Sequence, residues 1–478
     1  MLRLPAIAFA LAAPFALVAQ TKKSDVLARI DATKPAYDEI AMKIWDWAEI
    51  GFQETKSSAL LQAKLREAGF AVEAGVAGMP TAFIASYGSG SPVIAVLAEY
   101  DALPGVSQEA VPEKKERPGG KAGHACGHHL FGAGSVQSAI AVKEWMQATG
   151  QKGTLRVFGC PAEEGGSGKV YLVRAGLFNG VDVALHWHAG DRNQITMASS
   201  LANKSGKFRF TGVAAHAAGA PERGRSALDG VEAMNHMANL MREHVPDTTR
   251  IHYVITRGGE APNVVPAFAE VYYYVRSPSR DIVREVWDRI EKAAQGAALG
   301  TGTTFKVEVT GGVHELLIND TLGQLMHANF TAVGGVTYTP AEREFALKIG
   351  RTVFGQAPAP ETAGLIAPYV SGQRREGGGG STDVGDVSWV VPTVGLRAAT
   401  WAPGTPGHSW QAVACGGTTM GLKGMNVAAK VLAGTTVDLF GKPEVIAAAK
   451  AEFVRKRGAE FKYSALLGDR PPALDYRD

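Results

Sequence analysis

Past its first two dozen residues, the chain alternates between stretches with apolar residues every three or four positions and short unbroken apolar runs. The first kind predicts helices. Asp25 to Ala48 has that spacing, interrupted at Pro35, and SSALLQAKLREAGF reads as an amphipathic helix stopped at Gly69. The second kind predicts buried strands. In PVIAVLAEYDALP the apolar body Val93 to Leu97 runs into Glu99 and Asp101, and TLRVFGCPAEE and VDVALHWHAGD repeat the pattern. A small-residue helix from about Leu130 to Gln147 and another near Ser167 to Ala175 separate these runs. Apolar strands that alternate with helices and end in polar residues predict a parallel α/β sheet with a site at the carboxyl ends.

Near Asn203 the pattern changes. KFRFTGVAAHAAG, a helix over about 226–243, RIHYVITRGG, EVYYYVRSP, a helix over about 282–298 and TFKVEVTGG follow in the order β-α-β-β-α-β. That order predicts an inserted ferredoxin-like module. The expected division is a catalytic α/β domain in two parts, 21–202 and 314–478, with the inserted α+β domain at 203–313. Ahead of these, Arg3, an apolar run from Leu4 to Val18 and small residues before TKKSD read as a secretory signal peptide over residues 1–20. The run is too short and too proline-interrupted for a spanning helix, so an exported chain, periplasmic or secreted, with no membrane segment after signal removal is expected.

Composition narrows the reading only slightly. With 478 residues, 46% hydrophobic and 20% charged, the chain is of ordinary globular type. Its net charge of +3, from 49 basic and 46 acidic residues, gives no ground for a nucleic-acid partner. Three cysteines, Cys126, Cys160 and Cys415, are too few for a disulfide framework, which leaves a ligand, a nucleophile or a buried apolar residue.

Candidate chemistry gathers at the strand ends. Cys126 and His128 stand two apart, too close for one helix face, but a turn before a helix aims both at one ion. Glu163 and Glu164 follow a strand, where neighbouring side chains diverge, so one carboxylate can hold metal while the other faces a water. His188 ends a strand and His408 lies in a Gly/Pro turn. Singly, each is more often a core residue or a solvated carboxylate; together, imidazoles, a thiolate and a carboxylate suit zinc, manganese or cobalt. GGSGK at Gly165–Lys169 lacks phosphate-loop spacing, and no Gly-x-Ser-x-Gly elbow supports a serine hydrolase.

The stretches LAEYDALPG, GHACGHH, VFGCPAEEGGSGK, VDVALHWH, GVAAHAA with GRSALDGV, APNVVPAFAEVYYYVRSP, STDVGDVSW and GTPGHSW occur in one order across about Ile40 to Leu439. In them the chain resembles the dinuclear-metal aminoacylase and carboxypeptidase-like amidohydrolases, in the branch that uses a cysteine ligand and cleaves amino-acid conjugates. The resemblance implies a zinc-exopeptidase-like catalytic domain with a lid that dimerises. It also implies two divalent ions per subunit held by Cys126, His128, Glu164, His188 and His408. Glu163 matches the general base, and His216 a lid histidine that reaches the partner's site to stabilise the oxyanion. Asn263 and Arg276 match lid positions that bind a substrate carboxylate. The implied substrates are N-acyl amino acids such as aminobenzoyl-glutamate-like conjugates, and the implied partners are a second copy through the lid or a related A-type subunit.

Two positions depart from the pattern. His129 stands where many relatives have Asp or Asn, and either supports the ligands from outside or competes as one. Leu97 stands where close relatives have Arg, which leaves Glu99 and Asp101 as supporting candidates behind the ligands. An exported dipeptidase or carboxypeptidase differs from the amidohydrolase only in substrate. A non-catalytic binding protein would have no use for a base beside its ligand, and Glu163 beside Glu164 argues for an enzyme.

Overall fold

A computed structural model describes residues 22–372 and 379–477. The expected signal peptide, and Gly377 and Gly378 of the glycine-rich stretch, lie outside the described residues. In chain order the first elements are α1 (Lys23–Trp47), α2 (Thr55–Glu67), β1 (Ala71–Ala74), β2 (Phe83–Ser89), β3 (Val93–Glu99), β4 (Leu103–Pro104), β5 (Ala122–Gly123), α3 (His128–Thr149) and β6 (Gly153–Cys160). Next come α4 (Glu163–Gly166), α5 (Gly168–Arg174), β7 (Val183–Gly190), β8 (Gln194–Ile195), β9 (Ala202–Thr211), α6 (Ala227–Met241), β10 (Arg250–Arg257), β11 (Phe268–Ser277), α7 (Arg280–Thr301) and β12 (Thr304–Val313). The last are α8 (Asp320–Val333), α9 (Pro340–Phe354), α10 (Val384–Ser388), β13 (Thr393–Ala399), α11 (Trp410–Gly416), α12 (Thr419–Gly441) and α13 (Pro443–Arg457).

Seven strands form one sheet in the order β1-β2-β6-β3-β7-β13-β8. Its centre, β6-β3-β7-β13, is parallel, and the outer pairings are antiparallel. The unbroken apolar run of β3 is explained by burial on both faces, which removes the need for alternation. Helices α1, α3 and α12 pack on one another, and α3 lies against β3, β6 and β7. The approach of α3 is close: a Cβ on Gly132 would stand 2.7 Å from the carbonyl oxygen of Glu99.

The second sheet, β10-β11-β9-β12, is antiparallel throughout, with α6 and α7 packed against it. Phe208, Phe210, Tyr273 and Trp287 fill its core, separate from the core of the larger sheet. A buried ion pair, Arg280 to Glu315 at 2.9 Å, ties the start of α7 to the segment after β12. No helix among the described residues is long and apolar enough to cross a membrane.

One sequence expectation fails. Helix α1 continues through Pro35 instead of breaking there. Ile30 on one side of the proline and Tyr37, Ile40, Ala41 and Ile44 on the other are all buried in one core, so packing outweighs the lost hydrogen bond.

Candidate active site

The carboxyl ends of β3, β6 and β7 open into a cavity of about 890 Å³, walled on its other side by residues of β9, β11 and β12. Backbone turns of an unusual kind place its functional groups. Gly127, at φ +78°, turns the chain between Cys126 and α3, and a Cβ there would meet Ala189 at 2.4 Å. Non-glycine residues with positive φ among the described residues are Ala48, Phe52, Ala77, Ala162, Ser167 and His408. The last three belong to the site: Ala162 and Ser167 bracket the two glutamates, and His408 is itself a candidate ligand. Such conformations cost about 1–3 kcal/mol each and persist where the surroundings enforce them. Buried Glu54 helps to do so, accepting the Ala162 N–H at 2.8 Å and the Thr81 hydroxyl at 2.8 Å. Burial and the nearby Asp101 push its carboxyl up to about 8.

Three sets of donors converge closely enough for one ion each, every donor atom within 4.8 Å of the others in its set. Cys126, His128 and His188 form one; Cys126, Glu164 and His408 form a second; Glu99, His128 and Glu163 form a third. Cys126 is common to the first two, so it would help to hold either ion. The five expected ligands therefore meet. The glutamates diverge as expected, though through the turn of α4 and not the pleat of a strand.

Outer hydrogen bonds orient the imidazoles as metal ligands require. His128 is fully buried, and its Nδ1 lies 2.9 Å from Asp101 Oδ1. The Nδ1 of His188 lies 2.7 Å from the Ala189 carbonyl. Both Nδ1 atoms thus donate, which leaves the Nε2 lone pairs facing inward. There the Nε2 of His128 stands 3.0 Å from Glu99 Oε2, and neither buried atom has a hydrogen-bond partner. Glu164 Oε1 is likewise buried and without a partner, 3.3 Å from His408 Nε2. Lone pairs that face one another out of reach of water call for a cation between them, so the residues fit a metal pair.

The charges of the site reinforce this. Burial pushes the Cys126 thiol far up, and Glu164 adds to the effect, so only a nearby cation makes it a thiolate. Burial pushes His188 down, aided by Arg397, which keeps it neutral. Burial also opposes charge on His128, but Cys126, Glu99 and Asp101 outweigh it and raise that group. Glu163, half-exposed to the cavity, is raised well above the carboxylate range by desolvation and by the carboxylates of Glu99, Glu164 and Asp383.

Other expectations resolve differently. Asp101 does support the ligands, bonding His128 with one oxygen and accepting the Glu164 N–H at 2.9 Å with the other. His129 turns away, its Nε2 3.1 Å from the Gly416 carbonyl, and joins none of the donor sets. Glu99 serves mainly a buried triad absent from the sequence reading: Lys169 Nζ lies 2.6 Å from Glu99 and 2.7 Å from Asp383, all three almost wholly buried. Lys169 is the lysine of GGSGK, so that motif supplies a buried countercharge behind the glutamates. Arg276 lines the cavity, its guanidinium 5.5 Å from the Tyr274 ring. His216 and Asn263 do not. They lie on two adjoining exposed loops of the inserted module, one after β9 and one between β10 and β11, joined where the Ala217 N–H donates to the Asn263 carbonyl at 3.0 Å.

Comparison with known proteins agrees with this geometry. Residues 202–301 match the Peptidase dimerisation domain. The B-type subunit of p-aminobenzoyl-glutamate hydrolase from Escherichia coli is 42% identical over 436 residues, covering 86% of this chain and 90% of that protein. The chain belongs to the M20 family. M20 proteins are metal-dependent amidohydrolases and dipeptidases, and this chain is accordingly a hydrolase of amide bonds. An M20 relative from mouse, an Xaa-Arg dipeptidase, is 28% identical over 440 residues, covering 89% of this chain and 90% of its own. The same fold is seen in a dinuclear metal-binding M20 peptidase from Bacillus subtilis, with a TM-score of 0.56, 18% identity, and 86% of this chain and 99% of that one covered.

Proposed function

We propose that this M20 hydrolase cleaves the amide bond of N-acyl amino acids that bear a free carboxylate, p-aminobenzoyl-glutamate-like conjugates among them. The reading is carried by one observation: two donor sets share Cys126 beside the raised carboxyl of Glu163, in the cavity that Arg276 also lines. Cys126, His128, Glu164, His188 and His408 would hold two divalent ions, zinc or manganese, with cobalt a chemical equivalent. When bound, the ions supply the positive charge that polarises the amide carbonyl and eases deprotonation of water. Glu163 takes the proton of the attacking water and passes it to the leaving amine. A carboxyl raised above the ordinary carboxylate range suits both transfers. Arg276 and Asn263 bind the substrate carboxylate, and His216 donates to the developing oxyanion. Because His216 and Asn263 lie away from this chain's own cavity, they would act in a second copy or in a related A-type subunit. Residues 1–20 fit export to the periplasm or medium, which fractionation of the expressing cells would test.

The substrate reading is tested by comparing an N-acyl amino acid with its α-methyl ester. The ester should have a much lower specificity constant in the native enzyme, and the gap should shrink in Arg276→Ala, where the anion has lost its partner. Equal hydrolysis of acid and ester by the native enzyme would refute the carboxylate clamp.

A further inference from the structure

After α13 the described residues 458–477 form no helix or strand, yet they are not loosely held. The Tyr463 hydroxyl donates to Asp386 at 2.7 Å. Leu466 and Leu467, each 3% exposed, are neighbours in sequence but belong to different cores, Leu466 to the lid core and Leu467 to that of the catalytic sheet. Arg470 donates to the Val309 carbonyl on β12. The strap then runs to the metal-site turn, where the Tyr476 hydroxyl donates to the Glu164 carbonyl at 3.0 Å and its ring meets Phe52 edge-on at 5.6 Å.

The next residue, Arg477, lines the catalytic cavity. Its guanidinium donates one N–H to the Glu164 carbonyl, its Nε is buried without a hydrogen-bond partner, and no carboxylate among the described residues pairs with it. Neighbouring cations are matched differently: Arg192, also on the cavity wall, is held by Asp191 at 3.0 Å, and the buried Lys169 by Glu99 and Asp383. Arg276 resembles Arg477, with a buried Nε that lacks a partner and no anion beside it. The cavity is thus lined by two arginines from separate parts of the chain, each with guanidinium donors unused and no anionic partner. A guanidinium fork is built for a carboxylate, and leaving one desolvated beside no anion is costly.

We infer that Arg477 binds a second carboxylate of the substrate, so that the strap makes the enzyme selective for conjugates of dicarboxylic amino acids. The inference rests on the proposed function, in which Arg276 takes the α-carboxylate. With both arginines engaged, an N-acylglutamate is held at two points, and its neutral side-chain amide analogue, the N-acylglutamine, at one.

The test is the ratio of specificity constants for an N-acylglutamate over the matching N-acylglutamine in the native enzyme, Arg477→Ala and Arg477→Lys. In Arg477→Ala the ratio should fall about ten- to a hundred-fold, mainly through KM, as expected for loss of a charged hydrogen bond. Arg477→Lys, which keeps the charge but not the fork, should restore part of it. An unchanged ratio in Arg477→Ala overturns the inference, and so does an equal loss on both substrates, which marks Arg477 as a structural part of the strap. Failure of the native acid–ester discrimination would instead overturn the underlying substrate reading, so the two failures are separable.

Discussion

A thiol and a carboxyl at the centre of this site are both raised by burial, but they have different uses. Cys126 needs a cation to become a thiolate, so Cys126→Ser should lower bound metal, because a neutral hydroxyl is a poor ligand for zinc or manganese. Glu163 contributes to the chemical step. Glu163→Gln should retain metal and fold while turnover falls about 10²–10⁴-fold, the usual cost of losing a general base. Metal analysis by mass spectrometry with steady-state kinetics on both variants separates the roles. Wild-type turnover in Glu163→Gln would end the proposed mechanism.

At the scale of single elements, α10 carries a carboxyl with a measurable pH signature. Asp386 is fully buried, accepting the His314 N–H at 2.9 Å and the Tyr463 hydroxyl. Burial lifts it from an ordinary value of 3.8 to about 7. Between those values the folded chain keeps a proton that the unfolded chain has released, so this group's contribution to stability falls as pH rises from about 4 to 7. His124 and His186, both pushed down to about 3 by burial, act oppositely: below about 6.5 the unfolded chain binds protons that the folded chain refuses. The native pH profile therefore blends opposed slopes. Asp386→Asn isolates one, since an amide is uncharged at every pH, as the protonated acid is, and its oxygen still accepts a hydrogen bond. Relative to native, its stability in urea titrations should grow by on the order of 4 kcal/mol between pH 4 and pH 8. Parallel profiles would show that Asp386 is not protonated in the folded chain.

Elements also show what could be read from residues in order. Apolar runs ending in Glu99, Glu163 and His188 announced the parallel sheet and its rich end, because burial on both faces leaves polarity only at the strand tips. That Glu163, Glu164 and His188 would line one cavity was legible for the same reason. Lys169 was not, since a lysine among glycines gives no sign that Glu99 and Asp383 will close around it. The course of α1 through Pro35 depends on a core assembled from distant segments, and Arg477 enters the cavity only because Leu466 and Leu467 seat the strap in both cores. Local pattern carries no information about such long-range closures.

At the scale of the assembled molecule, the lid offers a group that its own chain does not use. The Nδ1 of His216 accepts the Gly219 N–H at 2.9 Å, so Nε2 carries the proton and is the outward donor. If that donor completes a neighbour's site, His216→Ala and Glu163→Gln, each inactive alone, should regain activity when mixed under verified subunit exchange, because some sites then hold both residues. Absence of recovery would place His216 outside the shared chemistry.

The position of β13 in the sheet has a consequence for how the chain is made. β13 lies between β7 and β8, and among the described residues it alone joins β8 to the sheet, yet it leaves the ribosome long after both. At about 5–20 residues per second, synthesis from Gly190 to Thr393 takes on the order of ten seconds or more. During that interval the edge of β7 has no partner, and an apolar edge strand is a template for wrong pairing. The four strands of the lid emerge within the same interval and can close their own sheet at once. The nascent protein thus passes through a stage with a finished lid and an open catalytic sheet, whose exposed edge makes prompt delivery of β13 decisive for yield.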